Sequence, residues 1–196
     1  MLVLASGSPR RALILSGLGV PFVVDPPGVA EDLLPAEAAG AAASRLAAAK
    51  AAEVAARRPD DWILAADTLV FCDGAILGKP DGVASAAEML RRLAGREHRV
   101  VTGIRLRRGA AAGEEEVCWS SVRFGPMSEE EIAWYVGTGE PMDKAGAYGI
   151  QGLGSRFVEE IRGSYTNVMG LPARAVYRLM RGAGDPGLAL LALSSP

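Results

Sequence analysis

Short apolar runs alternating with helix-compatible stretches constrain this chain most. Leu2–Ala5 and Trp62–Ala66 are unbroken apolar runs of strand length, the pattern of buried strands. Between them lie two helical stretches. In the first, Leu13, Ile14 and Leu18 form an apolar face; Ser8 stands at the N-cap, Pro9 at the first helical position and Gly19 at the end. The second is Ala-rich, opens at Pro35 and runs to about Arg58; Ala is the strongest helix former, so one long helix is expected. Phe22–Val24 reads as a further strand, and 25–34 as a loop.

Downstream, Phe71–Leu77 suggests a tight hairpin around Asp73-Gly74. A helix from about Ser85 has Ser85 and Glu88 at capping-box spacing, and Ser128 with Glu131 repeats that spacing before a helix that fails near Gly137. Arg99–Arg108 and Glu116–Phe124 read as longer strands. Thr138–Gly154 holds five glycines and is too broken for regular structure. A strand near Phe157–Ile161 and a helix after Pro172 complete an α/β pattern. No internal repeat and no linker separates independent domains. The expected organisation is one domain over 1–182 and a tail over 183–196.

The bulk properties narrow the function. A length of 196 residues with 49% hydrophobic residues supports a sizeable core. A net charge of −2 gives no general reason to bind nucleic acid or an anionic membrane, so any anion site must be local. Cys72 and Cys118 are too few for a disulfide framework or a cysteine zinc site, and His98, the only histidine, rules out a histidine-rich metal site. The opening residues lack the basic start and long apolar stretch of a signal peptide. No apolar run reaches the roughly 18 residues of a membrane span. The expectation is a soluble, cytoplasmic protein. Of the 21 Lys and Arg residues, only Lys50, Lys79 and Lys144 are lysines. A compact ammonium is not interchangeable with a guanidinium, so these lysines are either required or remnants of a compositional bias.

Four segments carry possible chemistry. Ser6-Gly7-Ser8-Pro9-Arg10-Arg11 joins a strand, a small-residue turn and a helix start, where amides and the helix dipole favour an anion. Arg10 and Arg11 add forked donors suited to phosphate; a capped helix with two solvated arginines is the alternative. Asp67 follows an apolar strand, where a carboxylate can bind a metal, accept a proton from water, or merely cap a turn. Gly78-Lys79-Pro80 fails the Walker pattern, because Asp73 replaces its first Gly and Pro80 its Ser/Thr, but Lys79 remains a candidate phosphate contact. Lys50 is either a site residue or a solvated helix charge beside Glu53. Finally, Gly139–Gly152 is a long Gly-rich loop of the functional kind, and its Gln151 has the donor and acceptor needed to read a base edge.

In order along the chain, Ser6–Arg11, Ala66-Asp67-Thr68, Gly78-Lys79-Pro80, Leu90–Gly95 with His98, Glu140–Gly152 and Asn167–Pro172 resemble the motifs of the Maf family. The resemblance covers Leu2 to about Met180. It implies a Maf/ITPase-like, two-lobed α/β fold with a mixed sheet and a central cleft, usually as a homodimer. It also implies a nucleoside triphosphate pyrophosphatase dependent on a divalent cation, Mg²⁺ or Mn²⁺. On this resemblance Asp67 is the proton acceptor. Glu31 and Asp67 hold the metal, while Ser6, Arg11, Lys50 and Lys79 bind phosphate. Arg10, Thr68 and Gln151 match the family's dTTP/UTP branch. Modified pyrimidine nucleotides remain possible substrates, and the family's link to septum formation leaves a non-catalytic, nucleotide-binding regulator as the alternative.

Overall fold

The computed structural model describes residues 1–184, so most of the expected tail lies outside the described residues. In chain order the elements are β1 (Leu2–Ala5), α1 (Pro9–Gly17), β2 (Phe22–Val24), α2 (Ala39–Arg57), β3 (Trp62–Cys72), β4 (Ala75–Leu77), α3 (Val83–Leu93), β5 (Glu97–Arg108), β6 (Glu114–Phe124), α4 (Glu129–Gly137), β7 (Val158–Arg162), α5 (Tyr165–Val168) and α6 (Ala173–Gly182). Three 3-10 turns, Glu140–Asp143, Ala145–Ala147 and Leu153–Phe157, occupy the Gly-rich stretch.

The strands form a seven-stranded mixed sheet in the order β2-β1-β3-β5-β6-β7, with β4 paired to β3. β1 runs parallel to β2, with Leu2 opposite Phe22, and parallel to β3, with Leu2 opposite Trp62. β4 and β7 are antiparallel to β3 and β6. The expected mixed α/β class is therefore present. Two compact units emerge. The first comprises Met1–Asp67, Thr102–Cys118 and the chain from Gly170; the second comprises Thr68–Val101 and Trp119–Met169.

In the first unit, Val3, Ala5, Ile63 and Ala65 of the parallel strands pack with Ala51, Val54 and Ala55 of α2. Here the Ala-rich composition has a packing reason as well as a propensity one. On β5, a Cβ added to Gly103 would overlap the Ala43 carbonyl and lie 2.6 Å from the Ser44 nitrogen, so helix and strand meet closely. In the second unit, Val70, Leu90, Leu93, Phe124, Tyr135 and Phe157 anchor a separate apolar cluster. Among the described residues no helix is long and apolar enough to cross a membrane.

Three expectations need correction. α2 starts at Ala39, not Pro35, because Ala36 takes a left-handed φ of 58° and breaks the helix. Arg45 holds that non-helical approach in place, donating to Glu37 Oε1 at 2.8 Å, Glu37 Oε2 at 2.7 Å and the Asp32 carbonyl at 2.9 Å. α3 begins at Val83 with Gly82 in the N-cap position, so Ser85 is already inside the helix and the Ser85–Glu88 capping box does not form. β3 does not stop at Asp67. Leu69, Val70 and Cys72 continue its buried pattern to the turn at Asp73-Gly74, where φ values of 48° and 77° fit the hairpin read from the sequence.

Candidate functional site

The first unit brings Ser6, Arg11, Glu31, Lys50 and Asp67 together. β1 ends in a turn that buries Ser6, and the first turn of α1 supplies Arg11. The Ser6 hydroxyl accepts from the Ser8 amide at 3.2 Å and from an Arg11 terminal nitrogen at 3.2 Å. Arg11 Nε donates to the Gly170 carbonyl at 2.8 Å, which fixes the guanidinium. Ser8 has the extended backbone of an N-cap but makes no side-chain capping bond, so the helix start depends on Ser6 rather than on the expected Ser8 cap.

Lys50 lies on the face of α2 turned to the sheet and is only 5% exposed. The solvated alternative is thereby excluded. Glu53, three residues on, accepts from the Gly28 amide at 2.7 Å and pairs with Arg57. The Lys50 ammonium donates to Glu31 Oε1 at 2.5 Å and to Asp67 Oδ1 at 2.5 Å. Asp67 is 4% exposed in β3, whereas the Glu31 side chain, on the loop before α2, keeps 40% of its exposure.

A buried charge needs compensation, and this arrangement provides it. Burial pushes the Asp67 carboxyl above its ordinary range; Lys50 and Arg11 pull it down without cancelling that effect, and Glu31 adds to the rise. For Arg11 burial acts downward, opposed by Asp67 and Glu31. These mutual influences mark a four-charge cluster. Asp67 is thus a stronger base than a solvated carboxylate, beside cations suited to phosphate oxygens.

The same geometry bears on a divalent cation. Two carboxylate oxygens already converge on one cationic point, the Lys50 ammonium. Mg²⁺ is commonly held by one or two carboxylates, with water and substrate phosphates completing its shell. Among the described residues no group of three or more His, Cys, Asp or Glu gathers into a fuller cage. The donor set therefore fits a hard cation that shares its shell with a phosphate ligand.

Thr68, Lys79 and Gln151 belong to the second unit, and Arg10 to the first. Arg10 is half-buried beside Arg11 on α1, and Thr68 is half-buried next to Asp67 on β3. Lys79 is exposed on the loop after β4, which is fastened where the Gly146 amide donates to the Gly78 carbonyl at 3.0 Å. Gln151 is exposed on the Gly-rich stretch.

Tyr135 has a polar role that the sequence motifs do not single out. Its ring is fully buried, and its hydroxyl donates to Glu140 Oε1 at 2.8 Å and accepts from the Gly149 amide at 3.1 Å. The glycines at 149, 152 and 154 were the signal available in the sequence. The Arg45 clamp on the Glu31 loop was also missed, since nothing local marks an arginine that reaches eight residues back.

Comparison with known proteins agrees with this arrangement of motifs. The model of a family described as Maf-like protein matches residues 1–183. The chain is 48% identical to a dTTP/UTP pyrophosphatase of Symbiobacterium thermophilum, over 94% of this chain and 95% of that protein. It is 47% identical to one of Anaeromyxobacter dehalogenans, again over 94% and 95%. For one of Thermus thermophilus the identity is 48%, over 93% and 95%. A solved nucleoside-triphosphatase / dITP/XTP pyrophosphatase from Mycobacterium abscessus aligns over 100% of this chain and 99% of its own, with a TM-score of 0.44 and 16% identity. With a family match spanning nearly every described residue, the chain belongs to the Maf family.

Proposed function

We propose that the chain hydrolyses dTTP and UTP between the α and β phosphates, releasing the nucleoside monophosphate and diphosphate. The observation that carries this reading is the buried Lys50 ammonium held between Glu31 and Asp67, with Arg11 alongside. The names of relatives at nearly half identity support the substrate class.

In this reading Asp67 accepts a proton from the attacking water. The water oxygen bonds to the α phosphorus, the bond from that phosphorus to the bridging oxygen breaks, and diphosphate departs. Its raised proton affinity suits Asp67 to the task, and the Lys50 ammonium opposes that rise. Ser6, Arg11, Lys50 and Lys79 hold phosphate oxygens and offset charge on the departing group. Glu31 and Asp67 would hold Mg²⁺ or Mn²⁺, which supplies further positive charge to the phosphates. Arg10, Thr68 and Gln151 select the base; the Gln amide can match the carbonyl and N–H edge of a pyrimidine. The reading also carries a cytoplasmic location and a homodimer, the latter tested by sedimentation of the purified protein.

The decisive assay measures diphosphate release from dTTP, UTP, GTP and ATP with Mg²⁺, with Mn²⁺ and with chelator. Turnover should favour dTTP and UTP and require the ion. Asp67→Asn should lower kcat by about 100-fold or more while the fold persists, the scale expected for loss of a general base. Normal turnover by Asp67→Asn would overturn the role given to this carboxylate.

A further inference from the structure

The Gly-rich stretch contains an anchor that the proposed chemistry leaves unused. The Glu140 carboxylate accepts the Leu153 amide on Oε2 at 2.8 Å, and the Gly154 amide on Oε1 at 3.1 Å. Oε1 also accepts the Tyr135 hydroxyl, which itself accepts the Gly149 amide. The backbone is therefore tied on both sides of Gln151 to one pair, the buried Tyr135 and the half-buried Glu140. Lys144 closes the preceding turn by donating to the Glu140 carbonyl at 2.6 Å.

Glycine spacing follows from this anchor. A Cβ at Gly149 would stand 2.7 Å from Lys144 Cε, and one at Gly154 would stand 2.5 Å from the Tyr135 hydroxyl oxygen. One at Gly152 would overlap the Glu140 carboxylate. These glycines make room for the anchor, whereas Gln151 between them is exposed. Burial alone would raise the Glu140 carboxyl, but the two amides, the Tyr135 hydroxyl and Lys144 bring it below its ordinary range, so it remains an acceptor at neutral pH.

We propose that Glu140, acting with Tyr135, is a positioning residue that holds Gln151 in the pose discriminating one nucleobase from another. The proposal rests on the base-reading role assigned to Gln151 above. Glu140 acts on the loop and not on the phosphates, so its loss should weaken selection of the preferred base and leave the chemical step intact.

The test compares the full-length wild type with Glu140→Gln and Tyr135→Phe. It measures kcat and KM for dTTP and GTP, together with amide hydrogen exchange at Gly149, Leu153 and Gly154. For Glu140→Gln, faster exchange at Leu153 and Gly154 should accompany a dTTP KM raised about tenfold, the scale of one lost charge-assisted hydrogen bond. Its kcat should stay within about twofold, the mark of lost uniform binding, and GTP kinetics should not change. Tyr135→Phe removes only the hydroxyl and should act in the same direction, with faster exchange at Gly149; it decides the matter if Glu140→Gln does not fold. An unchanged dTTP KM, or an equal loss for both nucleotides, overturns the positioning role while leaving the hydrolase reading in place. A wild type that handles dTTP and GTP alike overturns base reading by Gln151 and this proposal together.

Discussion

Lys50 illustrates how much a single residue type can reveal and conceal. In an arginine-rich chain its retention is explained by geometry: one compact ammonium fits between two carboxylate oxygens, each at 2.5 Å, where a planar fork would not. Sequence alone favoured a solvated helix charge over a site residue, because burial depends on what covers α2. His98 is the converse case, a single histidine that excludes a histidine-rich metal site and is found on β5, 2% exposed, with Nε2 2.8 Å from the Tyr148 hydroxyl oxygen. Burial lowers its pKa from 6.5 to about 4. Below pH 6.5 the unfolded chain takes up a proton that the folded chain refuses, so stability present above that pH declines until about pH 4, where folded His98 also protonates. The full effect is about 3 kcal/mol. Urea midpoints measured between pH 7 and pH 5 should fall for wild type, and His98→Phe should show a clearly shallower slope. Equal slopes would show that His98 is not held neutral by the fold.

At the scale of elements, local signals succeeded where they closed within one turn. Ser128 accepts the Glu131 amide at 3.2 Å and Glu131 accepts the Ser128 amide at 2.8 Å, so both halves of that capping box form. The identical spacing at Ser85 and Glu88 does not, because Gly82 already occupies the N-cap and Glu88 turns toward Arg91. The two serines therefore respond differently. Ser128→Ala should cost about 1 kcal/mol, the usual worth of a lost N-cap. Ser85→Ala should be neutral or slightly stabilising, as Ala is the better interior helix residue. Chemical denaturation of both variants checks this, and an equal loss would refute the placement of the α3 start. Strand length was misjudged for a related reason. A polar Asp67 resembles a strand end, yet it interrupts a strand whose apolar pattern resumes at Leu69.

On the scale of the whole molecule, Gly103 shows a constraint that no local pattern announces. It lies in the middle of β5, where glycine is ordinarily unfavourable, and its missing side chain lets α2 approach. Gly103→Ala forces a methyl against the Ala43 backbone, which has no flexible end to move aside. The expected loss is about 1–3 kcal/mol, the range for overpacking, read as a lower denaturation midpoint. An unchanged midpoint would mean that α2 and β5 do not pack this closely. The α/β class and most elements were legible because strand and helix periodicities and turn residues are written over short stretches of chain, whereas the candidate site residues were named through the ordered motifs and the family resemblance they carry. The sequence by itself also determined the net charge, the absence of a histidine or cysteine metal cage and the membership in a motif family. Only the tertiary structure decided that Lys50 is buried between Glu31 and Asp67, that Arg45 shapes the loop before α2, and that Tyr135 and Glu140 grip the backbone around Gln151. Those outcomes join residues distant along the chain, and their burial and charge compensation exist only after the elements have packed.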